Sequence, residues 1–180
     1  LHLPGLTLVV SPLIALMKDQ VDFLVGKSIK AAKLDSSLSQ EEFRKIHDSL
    51  GRNELKLLYV APERFSNELF LNSLKRLNIS MMVVDEVHCI SEWGHNFRPD
   101  YLKLTDIIQD LRIPKTLGLT ATATPEVAKD IRTAFNISTD DFIYTGLYRP
   151  NLTLRFSPSS NPLPILLERL ASYPEAPVIV

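Results

Sequence analysis

The chain has 180 residues, of which 20 are basic and 21 acidic, so its formal net charge at pH 7 is −1. Hydrophobic residues make up 45% and charged residues 23%, a composition typical of globular proteins that argues against a disordered chain. The single cysteine, Cys89, excludes an internal disulfide framework and a zinc site that needs two thiolates. The balanced charge provides no broad basic field, so any contact with nucleic acid has to be local.

Short apolar runs alternate along the chain with segments of helical periodicity. The pattern predicts strands at residues 6–10, 55–60, 79–84, 116–120 and 142–144. It predicts helices at residues 12–25, 41–50, 69–77, 101–111 and 125–135, with Ser39 and Thr124 as caps. Strands that alternate with helices of this length are joined by crossovers. We therefore expect an α/β fold with a mostly parallel sheet flanked by helices.

The composition changes at residues 146–164, which are rich in proline and serine and are typical of a linker. We predict one domain at residues 1–145, a linker at 146–164 and the start of a second domain at 165–180. In that last part, residues 165–170 are predicted to be helical and residues 178–180 to open a strand. Because the chain begins with Leu1 rather than Met and ends on an apolar run, we expect it to be a piece of a longer protein.

Polar or turn-forming residues directly follow four of the predicted strands. They are Ser11-Pro12, Ala61-Pro62-Glu63-Arg64, Asp85-Glu86 and Thr120-Ala121-Thr122. Because ligands of parallel sheets bind at the carboxyl ends of the strands, we expect these residues to share one functional edge.

The strongest local signal is the pair Asp85-Glu86 at the end of the predicted strand 79–84. An acid after a buried strand is well placed to hold magnesium, directly or through water, and a second acid can deprotonate an attacking water. Phosphoryl-transfer enzymes use this arrangement on nucleoside triphosphates. The alternative is a solvated strand end that caps a helix, and these residues alone do not decide between the two.

Aromatic rings are interleaved with a cation in the segment that follows. They are Trp93, His95, Phe97, Arg98 and Tyr101. Single-stranded nucleic acid requires such a combination, because bases stack on the rings, at about 1–3 kcal/mol per base, and the cation meets phosphate. The alternative is an aromatic mini-core under a loop, in which Arg98 pairs with Asp100 or Glu92.

These segments resemble the motifs of RecQ-family DNA helicases. Residues 85–101 resemble motif II with its adjoining aromatic-rich loop, and residues 10–21 resemble motif Ia. Residues 58–64 resemble the next conserved block, residues 118–123 motif III, and residues 149–151 the segment that closes the first motor domain. Five matches in the family's order and spacing identify the chain as a member. Val87 stands where the family usually has Ala, an apolar change that affects local packing rather than chemistry.

The resemblance implies the greater part of a RecA-like motor domain, of the P-loop NTPase type, in an ATP-dependent 3′–5′ DNA helicase of recombination and repair. It implies that Asp85 coordinates the magnesium ion of Mg-ATP and that Glu86 activates the hydrolytic water. His88 would link the nucleotide site to the aromatic loop, and Thr120 and Thr122 would relay between ATP and DNA.

The partners that the resemblance implies are ATP and both single-stranded and duplex DNA. The implied DNA-binding residues are Ser11, Pro12, Leu13, Arg64, Trp93, His95, Phe97 and Arg98. Such an enzyme acts inside the cell, in the cytoplasm of a bacterium or the nucleus of a eukaryote. No apolar run approaches the roughly 18 residues of a membrane span, so no membrane partner is expected.

The 180 residues contain no G-x-x-x-x-G-K-S/T phosphate loop, which an ATPase of this kind needs. Gly26-Lys27-Ser28 matches only its second half and follows a predicted helix, so we interpret Gly26 as a left-handed helix cap. We expect the loop to lie upstream of this sequence and the chain alone to lack ATPase activity. The alternative function is a non-catalytic single-stranded-DNA-binding module from a truncated gene.

Cys89 and a cluster of three lysines are interpreted as structural rather than functional. Cys89 lies in an apolar stretch and is interpreted as a buried packing thiol rather than a metal ligand. Lys27, Lys30 and Lys33 are interpreted as a solvated basic face, with contact to DNA as the weaker alternative.

Overall fold

A computed structural model describes residues 2–93, 96–146, 149–153, 155–174 and 177. The chain divides into two compact units, Leu1–Tyr144 and Thr145–Val180. The first unit contains a five-stranded sheet. Its strands are β1 (Leu6–Val10), β2 (Ala31–Leu34), β3 (Leu57–Val60), β4 (Ile79–Val84) and β5 (Thr116–Gly118). They lie in the order β2-β3-β1-β4-β5, and every neighbouring pair is parallel, which confirms the predicted α/β fold.

A helix follows each strand. In the first unit they are α1 (Ile14–Gly26), α2 (Gln40–Gly51), α3 (Glu68–Leu74), α4 (Pro99–Asp110) and α5 (Pro125–Ala134). Two short 3₁₀ helices, Pro62–Ser66 and Val87–Ile90, follow β3 and β4. The second unit contains α6 (Pro162–Ala171). Among the described residues, no helix combines the length and apolarity needed to cross a membrane.

The sheet is covered on both faces, as expected for parallel strands joined by helical crossovers. Leu8 and Val10 are fully buried and belong to a large apolar cluster that includes residues of α2, α3, α4 and α5. Val9 points to the other face and packs with Met17 and Val21 of α1. The alternation along β1 therefore places α1 on one side of the sheet and the remaining helices of this unit on the other.

The predicted caps are confirmed. The Ser39 hydroxyl accepts from the Glu42 amide at 3.2 Å and the Glu42 carboxylate accepts from the Ser39 amide at 2.9 Å, which forms a complete capping box at α2. Thr124 caps α5 by accepting from the Val127 amide at 3.3 Å. These two helix starts follow directly from the local sequence.

The sequence analysis missed β2 and misinterpreted Lys33 within it, whereas Lys27 and Lys30 are exposed as expected. The strand holds only Ala31, Ala32, Lys33 and Leu34, too few apolar side chains for a clear strand pattern. Lys33 is not a solvated cation, because its ammonium lies 2.5 Å from the carboxylate of the buried Asp35.

The predicted strand at residues 142–144 is wrong. This segment is irregular, and Ile143 is 87% exposed, since no neighbouring strand covers it among the described residues. Phe142 instead stacks on Tyr144, with ring centroids 6.4 Å apart, and the guanidinium of Arg132 lies 5.9 Å from the Phe142 ring. Its apolar pattern reflects local aromatic packing rather than a strand.

Two helix ends also differ from the prediction. Gly26 is the last residue of α1, and the left-handed residue is Ser28, with φ 60°, so Gly26 is not the left-handed cap. Helix α6 begins at Pro162, inside the predicted linker, because proline is well accommodated in the first turn of a helix. The strand predicted at residues 178–180 lies outside the described residues.

Candidate functional site

The carboxyl ends of the central strands meet at one edge of the sheet. Ser11 follows β1 and Asp85 follows β4, and the Ser11 hydroxyl donates to Asp85 Oδ2 at 3.3 Å. Main-chain bonds hold this edge in register, from the Asp85 amide to the Val10 carbonyl at 2.9 Å and from the Ser11 amide to the Val60 carbonyl at 3.2 Å. Residues that are 74 positions apart in the chain thus form one site, as the strand-end pattern predicts.

The chain turns sharply at the Asp85-Glu86 corner. Glu86 has φ 50° and ψ 42°, a left-handed conformation that is uncommon for a residue other than glycine. Its amide donates to Asp85 Oδ1 at 3.0 Å, and the Val87 amide donates to the Leu119 carbonyl at 2.9 Å. Backbone strain of this kind is concentrated at functional sites in proteins.

Asp85 and Glu86 are half-buried and present carboxylate oxygens, which are the ligands that magnesium prefers. Within the described residues, no group of three or more His, Cys, Asp or Glu side chains is placed to hold a metal ion. A magnesium ion at this corner would share its coordination with phosphate and water, as it usually does in nucleotide-binding proteins. The residues present fit such an ion.

His88 connects this corner to the segment after β5. It lies in the 3₁₀ helix Val87–Ile90 and is only 3% exposed. Its Nδ1 lies 3.2 Å from Glu86 Oε2 and 2.9 Å from Thr120 Oγ1. Thr120 Oγ1 also accepts from the Thr122 amide at 3.2 Å. The predicted acid, histidine and two threonines therefore form one connected cluster.

Val87 packs this cluster against β5. It is 2% exposed, and a Cβ added at Gly118 would lie 3.3 Å from its Cγ1. The valine in place of the family's usual alanine thus fills the space above a glycine that has no side chain of its own.

The aromatic loop begins at Ser91 and is closed by a bond from the Arg98 amide to the Cys89 carbonyl at 2.9 Å. The buried Ser91 hydroxyl donates to Asp130 Oδ2 of α5 at 2.6 Å and accepts from the Trp93 amide at 3.3 Å. The Trp93 side chain is 81% exposed, so it belongs to no aromatic mini-core.

Arg98, the cation of the loop, pairs with a residue of another segment. The Arg98 guanidinium lies 3.8 Å from the Glu63 carboxylate, and Phe97 beside it is half-buried. Asp100, one of the partners considered for Arg98 in the sequence, pairs instead with Lys103 at 2.8 Å. His95, also expected in the loop, lies outside the described residues.

A second basic group lies at the ends of β2 and β3. Arg64, in the 3₁₀ helix Pro62–Ser66, places its guanidinium carbon 5.4 Å from the centre of the Phe43 ring. Arg64, Phe43 and Arg44 line a cavity of about 430 Å³ together with the loop at residues 35–40. The sequence analysis missed Phe43 and Arg44 because it missed β2, which brings α2 to this edge.

The remaining predicted residues take different places. The hydroxyl of the buried Ser11 is used by Asp85, whereas Leu13 is 41% exposed and Pro12 is half-buried between them. Cys89 is buried, as interpreted, and burial raises the pKa of its thiol. This cysteine is a packing residue.

Comparison with known proteins extends this description. Residues 2–131 match the family described as DEAD/DEAH box helicase. The chain is 41% identical over 158 residues to the ATP-dependent DNA helicase RecQ of Bacillus subtilis, which covers 87% of this chain and 27% of that protein. It is 43% identical over 155 residues to the ATP-dependent DNA helicase Q5 of Rattus norvegicus, covering 82% of this chain and 16% of that protein. The chain thus spans less than a third of the length of these curated relatives.

Solved structures share the fold at lower sequence identity. The helicase domain of Pyrococcus furiosus Hef superposes with a TM-score of 0.54 at 20% identity, covering 74% of this chain and 28% of that one. The DUF1998 helicase MrfA bound to DNA gives a TM-score of 0.54 at 16% identity, covering 73% of this chain and 18% of that one. The chain belongs to the DEAD/DEAH box helicase family, and most of its length is similar to helicases of the RecQ type.

Proposed function

We propose that this chain is part of an ATP-dependent helicase that moves 3′ to 5′ and unwinds DNA in recombination and repair. The observation that carries the proposal is the continuous cluster Asp85, Glu86, His88 and Thr120, which adjoins the anchored aromatic loop. We also propose the domain division of residues 1–145, 146–164 and 165–180, and a location inside the cell. Because the chain spans less than a third of its relatives, these are proposals for the longer protein.

The nucleotide site uses the two carboxylates in different ways. Asp85 would hold magnesium, which when bound neutralises developing charge on the phosphates. Glu86 accepts the proton of the attacking water, and His88 orients the Glu86 carboxylate from 3.2 Å. Thr120, 2.9 Å from His88, connects the same group to the segment after β5, where Thr122 lies.

The DNA site uses rings for bases and guanidinium groups for phosphates. Trp93 is exposed for stacking, and Phe97 and Arg98 follow it in the loop. Arg64 extends the cationic surface to the end of β3, where the Val60 carbonyl accepts from the amide of Ser11, the first residue of the segment Ser11, Pro12 and Leu13. His95 remains a predicted member of this site.

The test uses the full-length protein with Trp93→Ala. We expect ATP hydrolysis to lose its stimulation by single-stranded DNA while basal hydrolysis remains. The reason is that the Trp93 ring contacts DNA and this contact is coupled to the nucleotide site. Leu69→Ala is the matched control, since Leu69 is similarly exposed, at 81%, but lies in α3. Unchanged DNA stimulation in Trp93→Ala would refute the role of the loop.

We further propose that the 180-residue chain does not hydrolyse ATP, because its sequence contains no phosphate loop. The same absence favours the second candidate, a non-catalytic module that binds single-stranded DNA. The gene sequence upstream discriminates between the two. A reading frame that continues to a G-x-x-x-x-G-K-S/T loop supports the helicase, and a start codon at residue 1 supports the module. Measurable DNA-stimulated ATP turnover by the 180-residue chain alone would contradict the proposal that it does not hydrolyse ATP.

A further inference from the structure

Tyr101 lies between the aromatic loop and the Asp85-Glu86 corner. It is in the first turn of α4, is fully buried and belongs to the main apolar cluster. Its hydroxyl donates to the main-chain carbonyl of Asp85 at 2.9 Å. Its own amide donates to the Arg98 carbonyl at 2.9 Å. One side chain is thus bonded to the acid corner, and its backbone is bonded to the end of the loop.

Among the main-chain hydrogen bonds of the described residues, none from the neighbouring strands reaches the Asp85 carbonyl, so the Tyr101 hydroxyl is its donor. Directly after β5, the Leu119 amide donates to the Val84 carbonyl and the Leu119 carbonyl accepts from the Val87 amide, both at 2.9 Å. These two hydrogen bonds do not involve the Asp85 carbonyl, which directly precedes the left-handed residue Glu86. The phenol therefore holds the peptide that joins the two carboxylates. Burial raises the pKa of Tyr101, so its hydroxyl keeps its proton and remains a donor.

The backbone of Tyr101 is connected to the end of the aromatic loop. Arg98 closes the loop on Cys89, and Pro99 begins α4 directly after it. Proline restricts the backbone at this junction, so a displacement of Arg98 moves the first turn of α4 rather than being absorbed by a flexible hinge. The Tyr101 ring is in that first turn.

We propose that Tyr101 is a positioning residue that transmits DNA contact at the aromatic loop to the Asp85-Glu86 corner. This inference rests on the proposed function, since it requires that the loop binds DNA and that the corner hydrolyses ATP. It assigns the transmission to one hydroxyl group, in addition to the cluster of His88 and Thr120.

The test is Tyr101→Phe in the full-length helicase, a change that retains the buried ring and removes only the donor. We expect the DNA-stimulated kcat for ATP to fall about tenfold, the size of effect typical when a supporting hydrogen bond is lost. The KM for ATP and the Kd for an oligo(dT) strand stay within about twofold, because no contact with either ligand is removed.

Ser80→Ala is the matched control. The Ser80 hydroxyl also donates to a main-chain carbonyl, that of Leu6 at 3.2 Å. Ser80 lies near the start of β4, at the opposite end of this strand from Asp85. We expect this variant to keep its DNA stimulation. An equal loss of stimulation in both variants means general destabilisation and overturns the proposal, and so does full stimulation in Tyr101→Phe. A wild-type protein without DNA stimulation contradicts the proposed function itself.

Two further measurements test this role of Tyr101, and the second uses only the wild-type protein, so it applies even if Tyr101→Phe folds poorly. In a double-mutant cycle with Trp93→Ala, the two losses of DNA stimulation should not add, because Trp93→Ala already removes the DNA contact that Tyr101 transmits. In the wild-type protein, hydrogen exchange of the amides at residues 85–87 should change when oligo(dT) binds. Additive losses, or exchange that does not respond to DNA, overturn the proposal.

Discussion

Among single residues, Glu86 determines the geometry of the candidate site. A non-glycine residue in the left-handed region costs about 1–3 kcal/mol and persists only where its surroundings fix it. Here its amide donates to Asp85, and its carbonyl accepts from the Cys89 amide at 2.9 Å. The turn brings the Glu86 carboxylate to His88 instead of continuing along the strand.

Glu86→Gln tests the assignment of the general base. In the full-length protein we expect kcat for ATP to fall about 10²- to 10⁴-fold, the usual contribution of a general base, while ATP still binds. Steady-state ATPase and nucleotide-binding assays separate the two effects. Glu54→Gln is the control, because Glu54 is a glutamate that pairs with Arg52 at 2.7 Å, away from this edge. Retained turnover in Glu86→Gln would assign the base to another residue.

The residues of the acid corner could be predicted because they are neighbours in the sequence and follow an apolar strand. The partners that hold the loop could not. Arg98 pairs with Glu63, and Ser91 with Asp130, across 35 and 39 positions of chain respectively. No periodicity or motif specifies such a pair, because it depends on how separate elements pack.

Among the secondary-structure elements, α5 anchors the aromatic loop through the Ser91–Asp130 hydrogen bond, which a mutation can remove. We expect Ser91→Ala to cost about 1–3 kcal/mol of unfolding free energy, because it removes the hydrogen bond from the buried Ser91 hydroxyl to the half-buried Asp130 carboxylate. It should also shift the fluorescence of Trp93, the only tryptophan of the chain, whose amide donates to Ser91. Urea unfolding and emission spectra measure the two effects.

Ser138→Ala is the control for this bond. Ser138 also donates to an aspartate, Asp141 at 2.7 Å, but at an exposed site. We expect this variant to keep both stability and Trp93 emission. A Ser91→Ala protein with the wild-type spectrum would show that α5 does not set the position of the loop.

The capping box of α2 provides a second test of how a single element contributes to stability. Ser39→Ala removes the capping box and should lower the unfolding free energy by about 0.5–2 kcal/mol, measured by urea unfolding. Ser39→Asp should retain most of the stability, because aspartate also accepts from helix amides. A larger loss in Ser39→Asp than in Ser39→Ala would contradict the capping assignment.

The elements with strong local signals were predicted and those with weak signals were not. Strand β4 was found with its observed bounds, because six residues without a charge precede an acid pair. Strand β2 is four residues long and contains a lysine, and only its pairing with β3 makes it a strand. Residues 142–144 show the converse, since they have strand-like side chains but no partner strand among the described residues.

Across the whole molecule, charge is distributed rather than concentrated. Because a net charge of −1 provides no broad basic field, the proposed DNA binding would depend on a few cations at the carboxyl edge. The described candidates are Arg44, Arg64 and Arg98, while Lys30 and Lys56 line a groove near the amino ends of the strands. Binding should therefore be local and only moderately sensitive to salt.

The salt dependence of oligo(dT) binding measures this directly. Each phosphate contact contributes about −0.7 to the slope of log K against log salt for single strands, so three arginines predict a slope of about −2. Arg64→Gln should reduce the slope by about 0.7. Lys30→Gln should leave it unchanged, because Lys30 lies at the start of β2, away from the carboxyl edge. A slope near −4 would mean more phosphate contacts than these three arginines supply. A slope that Lys30 affects as much as Arg64 would place DNA near the amino ends of the strands.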